Sequence, residues 1–214
     1  MNDCTRELIH VPILHSPTDM GNSSSRLEAA YIESFGRQRW REHLALIDHF
    51  WQAVTKAVEG LQLDYRRVDL YQDGLPACGR ELDIVRDAAR DSENFRLLLG
   101  LVNRGANLVG TEDPAMLLEE YRAIQAGPSA TVAPHSSPTR PAPPSLLDRR
   151  NAYIAAQIGR TLQPGRTGLL FLGMLHTLHN HLPPDIVVRR LDILPPVPSP
   201  TPKGVRHGSQ DSRR

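Results

Sequence analysis

Short apolar runs closed by turn-forming residues, and separated by stretches of helical periodicity, constrain this chain more than any other feature. A strand, a helix and a second strand in the same sheet make a right-handed parallel crossover, so repeating that unit predicts a parallel, mostly buried sheet. The first run, Leu8 to His15, is rich in β-branched residues and ends in Ser16-Pro17-Thr18-Asp19. Arg67 to Gln72 is a second strand, stopped by Asp73-Gly74 and Pro76. Asn107 to Gly110 is a third, Gly168 to Leu172 a strongly apolar fourth, and Ile186 to Arg190 an edge strand. The reading is a single α/β domain over residues 1–194, with a mostly parallel sheet of about four or five strands and helices on both faces.

Between the strands the apolar period changes from two to nearly four. Ser25 and Glu28 have capping-box spacing. From Leu27 through Tyr31, Phe35, Trp40, Leu44, Ile47, Trp51 and Val54 to Val58, apolar residues recur on one face, giving one long helix, or two broken near Gly36, that ends about Gly60. Further helices are expected at about Arg80–Arg90 and Ser92–Arg104, the latter stopped by Gly105 as a C′ residue. Asp113-Pro114 opens another that runs to Gly127. Residues 128–145 are Pro, Ser, Ala and Thr with almost no large apolar side chain, which predicts a mobile loop inside the domain. The segment behind that loop, a helix from Leu146 to Leu162 and two strands, is too small for its own core and is expected to return to the same sheet. Residues 195–214 read as a disordered Pro-rich tail.

Composition excludes several classes. At 214 residues the chain buries enough surface for a core without disulfides, and Cys4 and Cys78 form no disulfide framework or metal knuckle. The longest apolar run, Leu169 to Leu175, is far below the roughly 20 residues of a membrane span, and Met1 to His10 has no apolar leader core. With 25 Lys+Arg against 24 Asp+Glu, the net charge of +1 gives no global field for nucleic acid. The expectation is a cytoplasmic protein with neither a nucleic-acid nor a membrane partner, acting on a small-molecule or peptide substrate. Its oligomeric state is left open.

Open parallel sheets bind ligands outside the carboxyl ends of their strands. Those positions here carry His15 and Asp19, Asp73, Glu112 and Asp113, then His176, His179 and His181. Two histidines with one or two carboxylates are the ligand set of a catalytic zinc, manganese or iron centre with an open position for water. Simpler roles compete: Asp113 as an N-cap before Pro114, Asp73 as the turn residue before Gly74, and the histidines of H-T-L-H-N-H as loop residues.

The segment Asp148 to Ile158, followed by Gly168 to His176, resembles the C-terminal signature of the TraB/TIKI/ChaN-like superfamily, which includes relatives of erythromycin esterase. That signature pairs an E-R-N-x-x-x-A-x-x-I helix with a strand ending in GxxH, and Arg150, Asn151, Ala155, Ile158, Gly173 and His176 fall in register with it. Arg149 stands where the family has glutamate, and Pro12-Ile13-Leu14-His15 replaces the family's first GxxH. The resemblance implies a divalent metal held by His15 and His176, with Glu112 or Asp73 as supporting carboxylate or general base and Arg150 as charge stabiliser. Asp19, Asn151 and His179 complete the set as ligand-binding contacts. Three functions stay open: a metal-dependent hydrolase, a non-catalytic binding or regulatory protein for an anion or haem, or an interaction module whose Pro-rich loop and tail are ligands for partner domains. Kinship of this kind fixes no substrate.

Overall fold

The computed structural model describes residues 5–14, 16, 24–126 and 143–193. Candidates His15 and Asp19 lie outside them, as do Cys4, the tail beyond residue 193 and most of the Pro/Ser-rich stretch. Strands β1 (Arg6–Ile13), β2 (Val68–Gln72), β3 (Asn107–Val109) and β4 (Thr167–Gly173) are separated by pairs of helices, α1 (Ser24–Phe35) and α2 (Arg37–Gly60), α3 (Glu81–Ala88) and α4 (Glu93–Asn103), α5 (Pro114–Ala126) and α6 (Leu146–Thr161), and β5 (Ile186–Arg190) follows β4 without a helix between them.

The sheet order is β3-β2-β4-β1-β5. Every pairing is parallel, with Ile9 beside Leu169 and Leu70 beside Leu169 across the two central junctions. The segment behind the Pro/Ser-rich stretch thus does return to the sheet, and β4 occupies its centre. Period-2 alternation sorts side chains to two faces. Ile9, Val11, Ile13, Leu70, Leu169 and Phe171 pack with Ile47, Trp51, Val54 and Val58 of α2, Val85 of α3 and Leu98 and Leu101 of α4. Leu8, Tyr71, Leu170 and Leu172 face the other way, onto Ile154 and Ile158 of α6. Helices therefore cover both faces, and the run Leu169 to Leu172 is continuously apolar because β4 is buried on each side.

Three details differ from expectation. Strand β1 starts two residues earlier, at Arg6, and ends at Ile13. Helix α1 begins at Ser24, which puts Ser25 inside its first turn rather than at a cap. The third concerns burial along the long apolar face, which divides at Gly36 as the two-helix alternative expects, since no helix continues through a φ of 86°. The α2 half is buried, whereas α1 buries no residue, leaving Leu27 and Phe35 exposed. Tyr31 instead packs on other rings, 4.9 Å from Phe35 and 5.3 Å from Trp40. Helix α5 likewise buries no residue. Among the described residues no helix is long and apolar enough to cross a membrane.

Candidate functional site

At the carboxyl edge, β2 and β3 deliver their carboxylates through backbone that the sheet itself fixes. The Asp73 amide donates to the Phe171 carbonyl at 2.9 Å, extending the β2–β4 ladder, and Gly74 with φ 76° turns the chain away. After β3, Thr111 Oγ1 accepts from the Gln72 amide at 2.8 Å and donates to the Val109 carbonyl. The Glu112 amide donates to Leu75 at 3.0 Å and its carbonyl accepts from Ala77 at 2.8 Å, so the two post-strand segments brace one another. Gly110 permits that approach: a Cβ there would collide with the Ala77 backbone.

Helix α6 supplies the opposing charge. Ser145 and Asp148 form a reciprocal capping box that sets its start. The next two residues then diverge. Arg149 is solvent-exposed and paired with Glu119 of α5 at 2.9 and 3.0 Å, away from the site, whereas Arg150 turns inward. Its Nε donates to Glu112 Oε2 at 2.6 Å, and its Nη2 donates to Glu112 Oε1 at 2.7 Å and Asp73 Oδ1 at 3.1 Å. Nη1 donates to Glu120 of α5. Arg150 and Glu112 are 5% and 1% exposed, so this ion pair has left bulk water.

Burial pushes the Glu112 carboxyl above its usual range and Asp73 adds to the rise, while Arg150 opposes both. Burial works against the Arg150 charge, but the carboxylates, Glu112 foremost, raise its pKa above the ordinary value. Three carboxylates, Asp73, Glu112 and Glu120, therefore share one guanidinium.

His176 follows β4 and stands against this cluster. Its Nδ1 lies 2.7 Å from Asn151 Oδ1, the residue next to Arg150 on α6. A carbonyl oxygen there makes Nδ1 the donor, which turns the Nε2 lone pair toward Asp73 Oδ1, 3.5 Å away. That separation is too long for a hydrogen bond. It matches two ligands of one tetrahedral ion, which lie about 3.4 Å apart when each bond is near 2.1 Å. One ligand atom each from Asp73, Glu112 and His176 lies within 4.8 Å of the others. Asp73 is steadied from behind by the Gly173 amide, which donates to its Oδ2 at 3.0 Å, and Glu112 by the Gly74 amide at 2.8 Å.

Of the residues read from sequence, Asp73, Glu112, Arg150, Asn151 and His176 thus meet at one point. Asp113 does not join them: its Oδ1 accepts from the Ala115 and Met116 amides as the cap of α5. His179 is exposed and borders a neighbouring cavity of about 150 Å³, as does His176. That cavity is walled by Leu8, Leu170, Leu172 and Leu182, and His10 projects among them. Burial lowers the pKa of His10, more than its hydrogen bond to the Leu172 carbonyl restores. Two members escaped the sequence reading. His10 carried a signal, a polar residue inside an apolar strand and on the Leu8 side, while Glu120 gave none that separates it from Glu119.

The chain matches no protein-family model, no curated protein and no solved structure, so its function has to be read from the residues themselves.

Proposed function

We propose that this protein is a metal-dependent hydrolase whose site lies at the carboxyl edge of the sheet, with His176, Asp73 and Glu112 holding a divalent cation. The observation that carries this reading is the pair of facing acceptors, His176 Nε2 and Asp73 Oδ1, held 3.5 Å apart in a buried cluster with surplus negative charge. Zinc, manganese or iron suits a mixed imidazole and carboxylate set, and such an ion supplies an activated water and a polarised carbonyl oxygen. The chain's own groups do the rest. Asn151 fixes the His176 tautomer and orientation. Glu112, gripped through both oxygens by Arg150, serves as a ligand and not as the general base. Arg150 commits four of its five N–H groups to carboxylates, which leaves one on Nη1 for a developing oxyanion. The substrate class is an ester, amide or peptide.

Resemblance to the TraB/TIKI/ChaN-like superfamily belongs to the same proposal. It is supported by the convergence of Arg150, Asn151 and His176, three residues that carry it. Placement in the cytoplasm is proposed with it, on the grounds of an unpaired, exposed Cys78. The experiment is a screen of ester, amide and peptide hydrolysis by protein reconstituted with zinc, manganese or iron. Metal-dependent turnover that falls at least a hundredfold in His176→Ala and Asp73→Asn is the expected result. Absence of turnover with all three metals across all three substrate classes contradicts it.

A second reading has its own observation. Arg150 grips both Glu112 oxygens, so the chain's own cation already neutralises one carboxylate, as in a binding pocket without chemistry. A non-catalytic protein of that kind takes an anion, seen as a rise in melting temperature, or haem, seen as a Soret band.

A further inference from the structure

We infer that Arg150 is the specificity residue of the proposed site: Glu120 holds on its Nη1 the place that a carboxylate group of the substrate takes. The inference rests on the reading of Asp73, Glu112 and His176 as metal ligands, and it narrows the substrate to an ester, amide or peptide with a free carboxylate close to the scissile bond. The three carboxylates on Arg150 are held unequally. Asp73 is 6% exposed and also accepts from the Gly173 amide, and Glu112, at 1%, also accepts from the Gly74 amide. The Glu120 side chain is 40% exposed, and Arg150 is its one polar partner among the described residues.

Nη1 is therefore the side of the buried guanidinium that is reached from solvent, and Glu120 is what covers it. Helix α5, which carries Glu120, buries no residue, and Arg149 ties it to α6 separately through Glu119. Glu120 thus leaves by turning its own side chain into solvent while α5 stays in place. An ion pair with one half-exposed partner is weak, so the exchange costs little. The charges also match. A divalent ion holds its carboxylate ligands ionised, so the ion and Arg150 together balance Asp73, Glu112 and Glu120. Withdrawing Glu120 leaves one positive charge uncompensated, which a single carboxylate restores and a dianion overshoots. Nη2 of the same planar group donates to Asp73 Oδ1 at 3.1 Å, so a carboxylate on Nη1 sits one guanidinium width from a metal ligand. The scissile bond is then only a few bonds away from that carboxylate, and the second Nη1 hydrogen stays free for the developing oxyanion.

The test titrates N-acetylglycine, its neutral counterpart N-acetylglycinamide and inorganic phosphate into zinc-reconstituted full-length protein, followed by calorimetry. N-acetylglycine is expected to bind at least about tenfold more tightly than the amide, the worth of one charge-assisted hydrogen bond, and more tightly than phosphate. Glu120→Ala removes the competitor, so it strengthens N-acetylglycine binding roughly two- to fivefold and leaves the amide unchanged. Glu119→Ala makes the same charge change one residue away and leaves both unchanged. A carboxylate bound directly to zinc is indifferent to Glu120, so equal affinity in the wild type and Glu120→Ala overturns the inference. An equal gain in Glu119→Ala, tighter binding of phosphate, or no preference for the carboxylate overturns it as well. Carboxylate binding that Glu120→Ala strengthens, in protein that takes up no metal or hydrolyses nothing, sinks the hydrolytic reading and leaves the carboxylate site standing. Hydrolysis that is lost in His176→Ala yet runs equally fast on carboxylate-bearing and neutral esters does the reverse.

Discussion

Arg150 holds Glu112 with two hydrogen bonds, 2.6 Å from Nε and 2.7 Å from Nη2, at a place where Glu112 is 1% exposed. The residues are 38 apart in sequence, and the pair joins α6 to the end of β3 across the carboxyl edge of the sheet. Desolvation makes such a pair a modest net stabiliser when intact, but costly to break from one side.

Arg150→Ala is therefore expected to destabilise the fold by about 3–5 kcal/mol at neutral pH, because Glu112 and Asp73 lose their buried counter-ion and either stay charged in the interior or take up a proton. Arg150→Met combined with Glu112→Leu should cost distinctly less, since it removes the stranded charge with the guanidinium. Urea unfolding of the wild type and both variants measures this, and a loss under about 1 kcal/mol in Arg150→Ala would show the pair to be dispensable.

Gly110→Ala tests how the site is positioned. The added methyl meets the Ala77 backbone, so the two post-strand segments must separate. A destabilisation of about 1–3 kcal/mol is expected, with weakened metal binding because Glu112 is braced through this contact. Unchanged stability and unchanged metal affinity together would refute the bracing role.

Tyr71 sets a pH limit on the fold. It is completely buried in the α6 face, its hydroxyl lies 2.9 Å from Thr161 Oγ1, and burial pushes its pKa up to about 12 from an ordinary value of 10.0. Its folded pKa exceeds its unfolded one, so its contribution is whole below pH 10 and is lost as pH rises through about 12. Two units correspond to roughly 3 kcal/mol. Tyr71→Phe should lose about 1 kcal/mol at neutral pH with the Thr161 bond, yet decline less steeply under alkali. Chemical denaturation between neutral pH and the alkaline limit checks the slope, and parallel curves for the two proteins would contradict the assignment.

How much of this was legible in sequence depended on whether the signal was local. The strands were visible because Leu169 to Leu172, and Leu8 to Ile13 apart from His10, carry the apolar character of parallel strands buried on both sides. Asp113 was legible as a cap, because capping is decided within three residues. Asp73 belongs both to the turn and to the buried cluster, and its position at a strand end was sufficient to nominate it. Periodicity misled at α1: Leu27, Tyr31 and Phe35 form a regular face, but period alone does not say what covers it, and Gly36 turns that helix away from the core. Pairings such as Arg150 with Glu120, and the cavity around His10, arise only when distant segments meet.

The most direct test of the central claim is metal content, measured by plasma mass spectrometry on untagged protein purified without chelators, alongside an Asp73→Asn/His176→Ala double variant whose fold is verified by circular dichroism. The account predicts close to one equivalent of zinc, manganese or iron per chain in the wild type and none in the variant. No bound metal in the wild type even after reconstitution, or the same equivalent retained by the folded variant, would contradict it.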